Sequence, residues 1–189
     1  MAEAIQGPVM RVLTAVVIIL WSILNVPAAA GGGGATEARG LTIEALENSA
    51  YRLNGTEVRL GNGRYVETRP ESGKSLPPYD FMVELVAAAL GDLNGDGISD
   101  AAVVLSWDGG GSGTFYYLAA VVDEGGTPVN VSTTYLGDGL GIRSVEISSG
   151  TITIDMLVRG LFDPMCCPSK RSRKEYRLIR RGGKYRLIP

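Results

Sequence analysis

Apolar residues recur in short runs along most of the chain, and glycine, asparagine, aspartate or proline residues separate the runs. Such runs are typical of β-strands joined by short turns. Because strands with short connections pair antiparallel, the pattern predicts a mainly β fold: a single antiparallel β domain, formed as an open sheet, a sandwich or a partial barrel. The predicted strands are 57–60, 64–68, 81–90, 101–107, 114–122, 128–136, 142–148, 151–158, 175–180 and 185–188.

One segment near the start of this domain has helical rather than strand periodicity. Leu41, Ala45 and Leu46 are spaced as on one face of a helix, and Thr42 is placed to cap its first turn. We therefore expect one short N-terminal helix within 41–48. Glycine-containing segments predict hairpin turns between neighbouring strands at 61–63, 148–150 and 181–184.

The first thirty residues have the features of an export signal. Arg11 precedes an apolar run over 12–26, and the small residues that follow suit cleavage after Ala30. The expected location is secreted or periplasmic; the alternative is a protein anchored in the membrane by an uncleaved N-terminal segment. The predicted organisation is a signal peptide at 1–30, a glycine-rich tether at 31–40 and a single β-rich domain at 41–189.

The chain contains no histidine, which excludes several kinds of catalytic site. Ser-His-Asp triads, Cys-His pairs and histidine-ligated zinc sites all require an imidazole. Carboxylate pairs could still hydrolyse glycosides without histidine. The candidates outside the motif described below are Asp80, Glu84, Asp108, Asp123 and Glu124, although no spacing places two of them at the separation that this chemistry needs.

Charge is segregated along the chain, although the formal net charge is only −2. The segment 75–142 contains nine acidic residues and no lysine or arginine, whereas 159–189 contains ten basic residues and two acidic ones. Either the basic segment folds over the acidic one or bound cations neutralise part of it. Arginines alternate with apolar residues near the C-terminal end, as on a solvated strand face. We therefore expect no nucleic-acid partner, and a membrane contact only through an uncleaved leader.

The strongest chemical motif is the segment 92–100, which reads D-x-N-x-D-G-x-x-D. Oxygen-bearing side chains at every second position converge when the chain wraps around a hard cation, and Gly97 permits the sharp turn at the sixth position. Position twelve is Val103 rather than glutamate, and a strand follows, so an EF-hand is excluded. A metal-free acidic turn and magnesium are the alternatives to calcium. The predicted calcium ligands are the side chains of Asp92, Asn94, Asp96 and Asp100 and the backbone carbonyl of Ile98.

Two resemblances to known families accompany this motif. The residues 91–103, Gly-Asp-Leu-Asn-Gly-Asp-Gly-Ile-Ser-Asp-Ala-Ala-Val, resemble the calcium loop of integrin-type FG-GAP β-propeller repeats. The match occurs once, whereas a propeller needs at least four blades, so it implies the loop and not the fold. Four segments together resemble an uncharacterised family of exported bacterial proteins, namely 91–97, 110–119, 128–130 and 163–169. That resemblance implies export and a β-rich domain, and it implies no activity.

Two further features are candidates for function. Cys166 and Cys167 are adjacent in a turn-rich segment, and in an exported protein they are expected to form a vicinal disulfide; two free thiols are the alternative. Trp107, Phe115 and Tyr117 flank a glycine-rich loop, and they could form a contact surface for a partner.

These observations favour an exported, calcium-stabilised, non-catalytic β domain that acts as a binding or accessory module at the cell envelope. Its partner would be an envelope or extracellular molecule. One alternative is an inhibitor or adhesion-type protein that binds its partner through the aromatic surface. The other is a carboxylate-dependent hydrolase.

Overall fold

The computed structural model describes residues 40–70, 78–164 and 166–189. The predicted signal peptide and all but the last residue of the predicted tether lie outside these ranges. Within them, no helix combines the length and the apolar character needed to cross a membrane. The elements in these ranges are α1 (Ile43–Glu47), β1 (Ala50–Leu53), β2 (Thr56–Arg59), β3 (Arg64–Arg69), β4 (Tyr79–Gly91), β5 (Asp100–Asp108), β6 (Thr114–Asp123), β7 (Pro128–Asp138), β8 (Gly141–Ser148), β9 (Thr151–Val158), β10 (Lys170–Arg181) and β11 (Lys184–Ile188).

The strands form three antiparallel sheets, which confirms the predicted mainly β fold. Their orders are β1-β2, β3-β4-β5-β6-β7 and β11-β10-β9-β8, so neighbours in the chain are neighbours in each sheet. The predicted helix is also present. The Thr42 Oγ1 accepts a hydrogen bond from the Ala45 N–H at 3.2 Å, as expected of an N-cap residue.

The five-stranded sheet is covered on both faces. One face packs against α1 and the β1-β2 hairpin, through residues such as Val103 and Tyr51. The other packs against the four-stranded sheet, through residues such as Val104 and Ile154. This double burial explains the continuous apolar runs of β5 and β6, because a strand buried on both faces has no solvent side on which to alternate polar residues.

One predicted hairpin is wrong. The turn at 61–63 forms and is closed by a bridge between Gly61 and Arg64, but the strands on either side of it lie in different sheets. The Gly63 N–H donates to the Glu47 carbonyl and its carbonyl accepts from the Leu85 N–H, so this turn connects two layers of the fold. The hairpin lies one strand earlier, where Asn54 and Gly55 adopt positive φ angles of 48° and 82° and pair β1 with β2.

Candidate functional site

The predicted calcium loop joins the ends of β4 and β5, where Gly91 pairs with Asp100. It lies at the seam between the two larger sheets. A Cβ at Gly91 would be 2.8 Å from the Ile147 Cγ2 of β8, so only glycine permits this approach. Leu93 is buried in the core between the sheets. Gly97 has a φ of 80°, as the predicted sharp turn at the sixth position requires.

Three of the predicted ligands are organised by backbone hydrogen bonds. Asp92 accepts the Gly95 N–H on Oδ1 at 2.6 Å and the Gly97 N–H on Oδ2 at 2.9 Å, which lowers the pKa of its carboxyl. The Asn94 Oδ1 accepts the Asp96 N–H, and its Nδ2 donates to the Asp96 Oδ2 at 2.8 Å. The structure therefore brings Asn94 and Asp96 into direct contact and holds the Asp92 carboxylate against the same turn.

Asp100 points into the protein instead. It is fully buried, and burial raises the pKa of its carboxyl. Its Oδ2 accepts the N–H groups of Leu93 and Asn94 at 3.0 and 3.2 Å, and its Oδ1 accepts the Asp123 N–H at 3.0 Å. Asp100 thus connects the loop to β6 through hydrogen bonds. Both of its oxygens are used in this way, which distinguishes it from the three more exposed ligand candidates.

The side-chain oxygens of the loop suit a hard cation, but they do not form a complete coordination shell. Among the described residues, no group of three or more His, Cys, Asp or Glu side chains is close enough to hold a metal. Asp92, Asn94 and Asp96 supply two carboxylates and one amide, and each ionised carboxylate keeps lone pairs beyond those used by the N–H donors. A cleft of about 470 Å³ adjoins Asp92 and Asn94, which leaves room for water to complete a coordination shell.

The three predicted aromatic contact residues divide between core and surface. Trp107 packs edge-on against Phe81, with ring centroids 5.0 Å apart, and belongs to the margin of the core. Tyr117 lies 5.5 Å from Tyr135, and Phe115 lies 6.4 Å from the same ring. Tyr135, on the edge strand β7, is half exposed and was missed by the sequence reasoning. Finding it required the β6-β7 register, which pairs Tyr117 with Tyr135.

A cleft of about 670 Å³ adjoins this aromatic surface, between β7 and the β1-β2 hairpin. Asn130 bridges its two sides. The Asn130 Oδ1 accepts the Arg52 N–H at 2.9 Å and the Thr133 hydroxyl at 3.1 Å. Its Nδ2 donates to the carbonyls of Ala120 and Ser132. The hydrogen bonds of Asn130 therefore connect β1 to β7 where the two strand edges border the cleft.

The two cysteines lie in the loop between β9 and β10. The structure joins Cys166 and Cys167 in a vicinal disulfide, and both residues are exposed. The Asp163 carboxylate joins the two ends of the loop: it accepts hydrogen bonds from the N–H groups of Gly160 and Ser169, both at 2.7 Å, and from the Ser169 hydroxyl at 2.8 Å. We call this set of hydrogen bonds the Asp163 latch. These donors lower the pKa of Asp163.

Four of the five carboxylates considered for hydrolysis have local structural partners, and the fifth, Glu124, is exposed in the β6-β7 turn. Asp80 accepts the Thr68 hydroxyl, Glu84 pairs with Arg64, and Asp108 accepts the Gly110 N–H. Asp123 accepts the Gly126 N–H in the β6-β7 turn. These contacts explain the residues as turn and strand partners, and no observation favours the hydrolase alternative.

The role of Asp100 can be separated from that of the more exposed candidate ligands. Asp100→Asn places an amide donor against at least one buried N–H, and we expect it to lower the free energy of unfolding by about 1–3 kcal/mol in EDTA. Asp96→Asn keeps the oxygen that accepts the Ile98 N–H and should change it by less than about 0.5 kcal/mol. Urea denaturation measures both; equal effects would contradict a structural role specific to Asp100.

The Asp163 latch should weaken in acid. Because the pKa of Asp163 is lower in the folded state than its ordinary value of 3.8, ionisation stabilises the latch above about pH 3.8, and this stabilisation is lost as the pH falls through the folded pKa. Carboxyl-carbon NMR should show Asp163 titrating below 3.8, with the Gly160 and Ser169 amides following the same curve. In Asp163→Asn those amides should no longer follow it. A titration midpoint at or above 3.8 would contradict the latch.

Comparison with protein-family models, with curated proteins and with solved structures finds no match. The resemblances to the FG-GAP loop and to an exported bacterial family therefore stay predictions.

Proposed function

We propose that the chain is an exported β domain that binds calcium in the 92–100 loop and acts as a non-catalytic binding or accessory module at the cell envelope. The observation that carries this proposal is the arrangement of Asp92, Asn94 and Asp96. Backbone N–H groups orient all three side chains around one turn, beside a cleft that water can enter. Hard oxygen donors in this arrangement favour calcium over softer metals.

The distribution of ion pairs supports a bound cation. The acidic segment 75–142 contributes to one of the four ion pairs found within the described ranges, through Glu84 and Arg64. The basic residues of β10 pair elsewhere: Arg173 contacts Asp155, and the Lys174 Nζ donates to the Leu136 carbonyl. No ion pair within the described ranges reaches Asp92 or Asp96, so both carboxylates are available to a divalent cation.

The position of the loop indicates what calcium would stabilise. At one end, Gly91 packs against β8; at the other, the Leu41 N–H donates to the Ser99 carbonyl, where the chain enters the domain. Asp100 adds the link to β6. Ordering this loop therefore acts on both larger sheets and on the attachment point of the predicted tether.

Export is the second part of the proposal. It rests on the leader at 1–30, and the vicinal disulfide between Cys166 and Cys167 is compatible with it, because disulfides persist in oxidising compartments. The proposed location is secreted or periplasmic, with membrane attachment as the alternative if the leader is retained.

Calcium should bind weakly and stabilise the fold. Without a bidentate glutamate we expect a Kd of about 10⁻⁴ to 10⁻³ M. At 10 mM calcium this corresponds to about 1.4–2.7 kcal/mol of added stability. Isothermal titration calorimetry and thermal unfolding of the full chain measure the two quantities.

Two variants that remove the same charge provide the comparison. Asp96→Asn should abolish both the binding heat and the calcium-dependent rise in Tm. Glu124→Gln, which removes an exposed charge from the β6-β7 turn, should retain them. Absence of calcium-dependent heat in the wild-type chain would refute the calcium site.

A second candidate function is a partner-binding protein of the inhibitor or adhesion type. The specific observation is the cleft of about 670 Å³ between the edges of β1 and β7, with Tyr117 and Tyr135 at its wall. Unpaired strand edges bind extended peptides by adding a strand, and aromatic side chains supply much of the energy at such contacts. An extended segment of a partner protein is the occupant that this cleft suits.

The two candidates predict different sensitivities in a pull-down from envelope extract. If the aromatic cleft is the binding site, a partner should be retained in EDTA and lost from the Phe115→Ser, Tyr135→Ser double variant, whose altered side chains are 39% and 50% exposed. Asp96→Asn should retain the partner. A partner that survives the aromatic substitutions but is released by EDTA would contradict this candidate and favour a calcium-dependent contact.

A further inference from the structure

The loop between β9 and β10 displays an unusual apolar pair. Leu161 and Phe162 are 91% and 93% exposed, whereas the next most exposed large apolar side chain in the described ranges, Tyr135, is 50% exposed. Two adjacent side chains of this size held in water forgo the stabilisation that burial would provide.

The turn that carries the pair is locally fixed. The Asp163 N–H donates to the Gly160 carbonyl at 3.3 Å, so Leu161 and Phe162 occupy the two corner positions of a tight turn. Corner positions usually hold glycine, proline, asparagine or aspartate, because these residues favour the turn backbone. Turn propensity therefore does not account for leucine and phenylalanine here. The hydrogen bonds of Asp163 to Gly160 and Ser169 nevertheless hold the two ends of the loop together.

Basic residues lie at both strand ends that carry this turn: Arg159 directly follows β9, and Lys170 and Arg171 begin β10. Arg159, Lys170 and Arg171 are exposed, and none of them takes part in an ion pair within the part of the chain that the structure describes. The one acid in the loop, Asp163, accepts hydrogen bonds from Gly160 and Ser169 on its two oxygens and also interacts electrostatically with Arg159, so the three basic residues leave an excess of positive charge. The loop thus presents an apolar tip with a collar of positive charge.

We propose that this loop inserts Leu161 and Phe162 into the interfacial region of an anionic phospholipid bilayer, with Arg159, Lys170 and Arg171 against the lipid phosphates. A convex apolar tip with a cationic collar matches a surface that is apolar at depth and negative at its rim. A protein pocket would instead be expected to meet a rim of mixed polarity. This contact is additional to the leader, and it depends on neither the leader nor the calcium loop.

Tryptophan fluorescence of the full-length chain tests this contact. In a Trp21→Phe background, Phe162→Trp places an indole at the turn, and the same background without it supplies the signal of Trp107 for subtraction. Vesicles containing 30% phosphatidylglycerol in phosphatidylcholine, in EDTA, should shift the emission to the blue. They should also reduce quenching by aqueous acrylamide about threefold and allow quenching by nitroxide-labelled lipid. The charge-reversed variant Lys170→Glu, Arg171→Glu should weaken this response about tenfold or more.

A matched control distinguishes insertion from simple proximity to the vesicle. Tyr135→Trp, at another exposed aromatic position, should remain equally accessible to acrylamide with and without vesicles. Unchanged acrylamide quenching of the indole at position 162 would overturn the proposal. So would shielding of that indole by a purified envelope protein but not by vesicles, because the loop would then fill a protein pocket. Since EDTA is present throughout, failure here is distinct from failure of the calcium site.

Discussion

Burial of the five-stranded sheet on both faces is the constraint on which the rest of the structure depends. In β5, Ala101 and Val103 face the layer formed by α1 and the first hairpin, whereas Ala102 and Val104 face the four-stranded sheet. A strand surrounded in this way cannot carry a charge along its length without a large desolvation cost. Polar chemistry is therefore confined to strand ends and to the loops that join them.

The carboxylates at these strand ends have separate roles. Asp100 begins β5 and is fully buried, and three backbone N–H groups satisfy it. These hydrogen bonds offset part of the cost of burying its carboxylate, although burial still raises its pKa. Asp92 and Asp96 lie further out in the same loop and keep lone pairs available. One loop thus contains an internal cross-link and a separate set of candidate cation ligands.

The sequence predicted the fold class and most strands because β5 and β6 are bounded by unmistakable turn residues. It misassigned the first hairpin, since the choice between Asn54-Gly55 and Gly61-Asn62-Gly63 depends on which backbone groups other layers use. The predicted start of β10 was Glu175 rather than Lys170, because a charged segment resembles a loop until its pairing with β9 is known. In the candidate site, spacing identified the candidate ligand residues. The burial of Asp100 and the exposure of Leu161 and Phe162 depend on tertiary packing that spacing does not encode.

The order already present in the 92–100 loop has a consequence for metal affinity. Hydrogen bonds from Gly95, Gly97 and Ile98 hold Asp92 and Asp96 near one turn, so binding an ion would require little further ordering of the backbone. The same hydrogen bonds occupy part of the oxygen lone pairs, and Asp100 is engaged elsewhere. The loop is therefore preorganised, but it offers few ligands to an ion. These opposing effects favour weak calcium binding that stabilises the sheets.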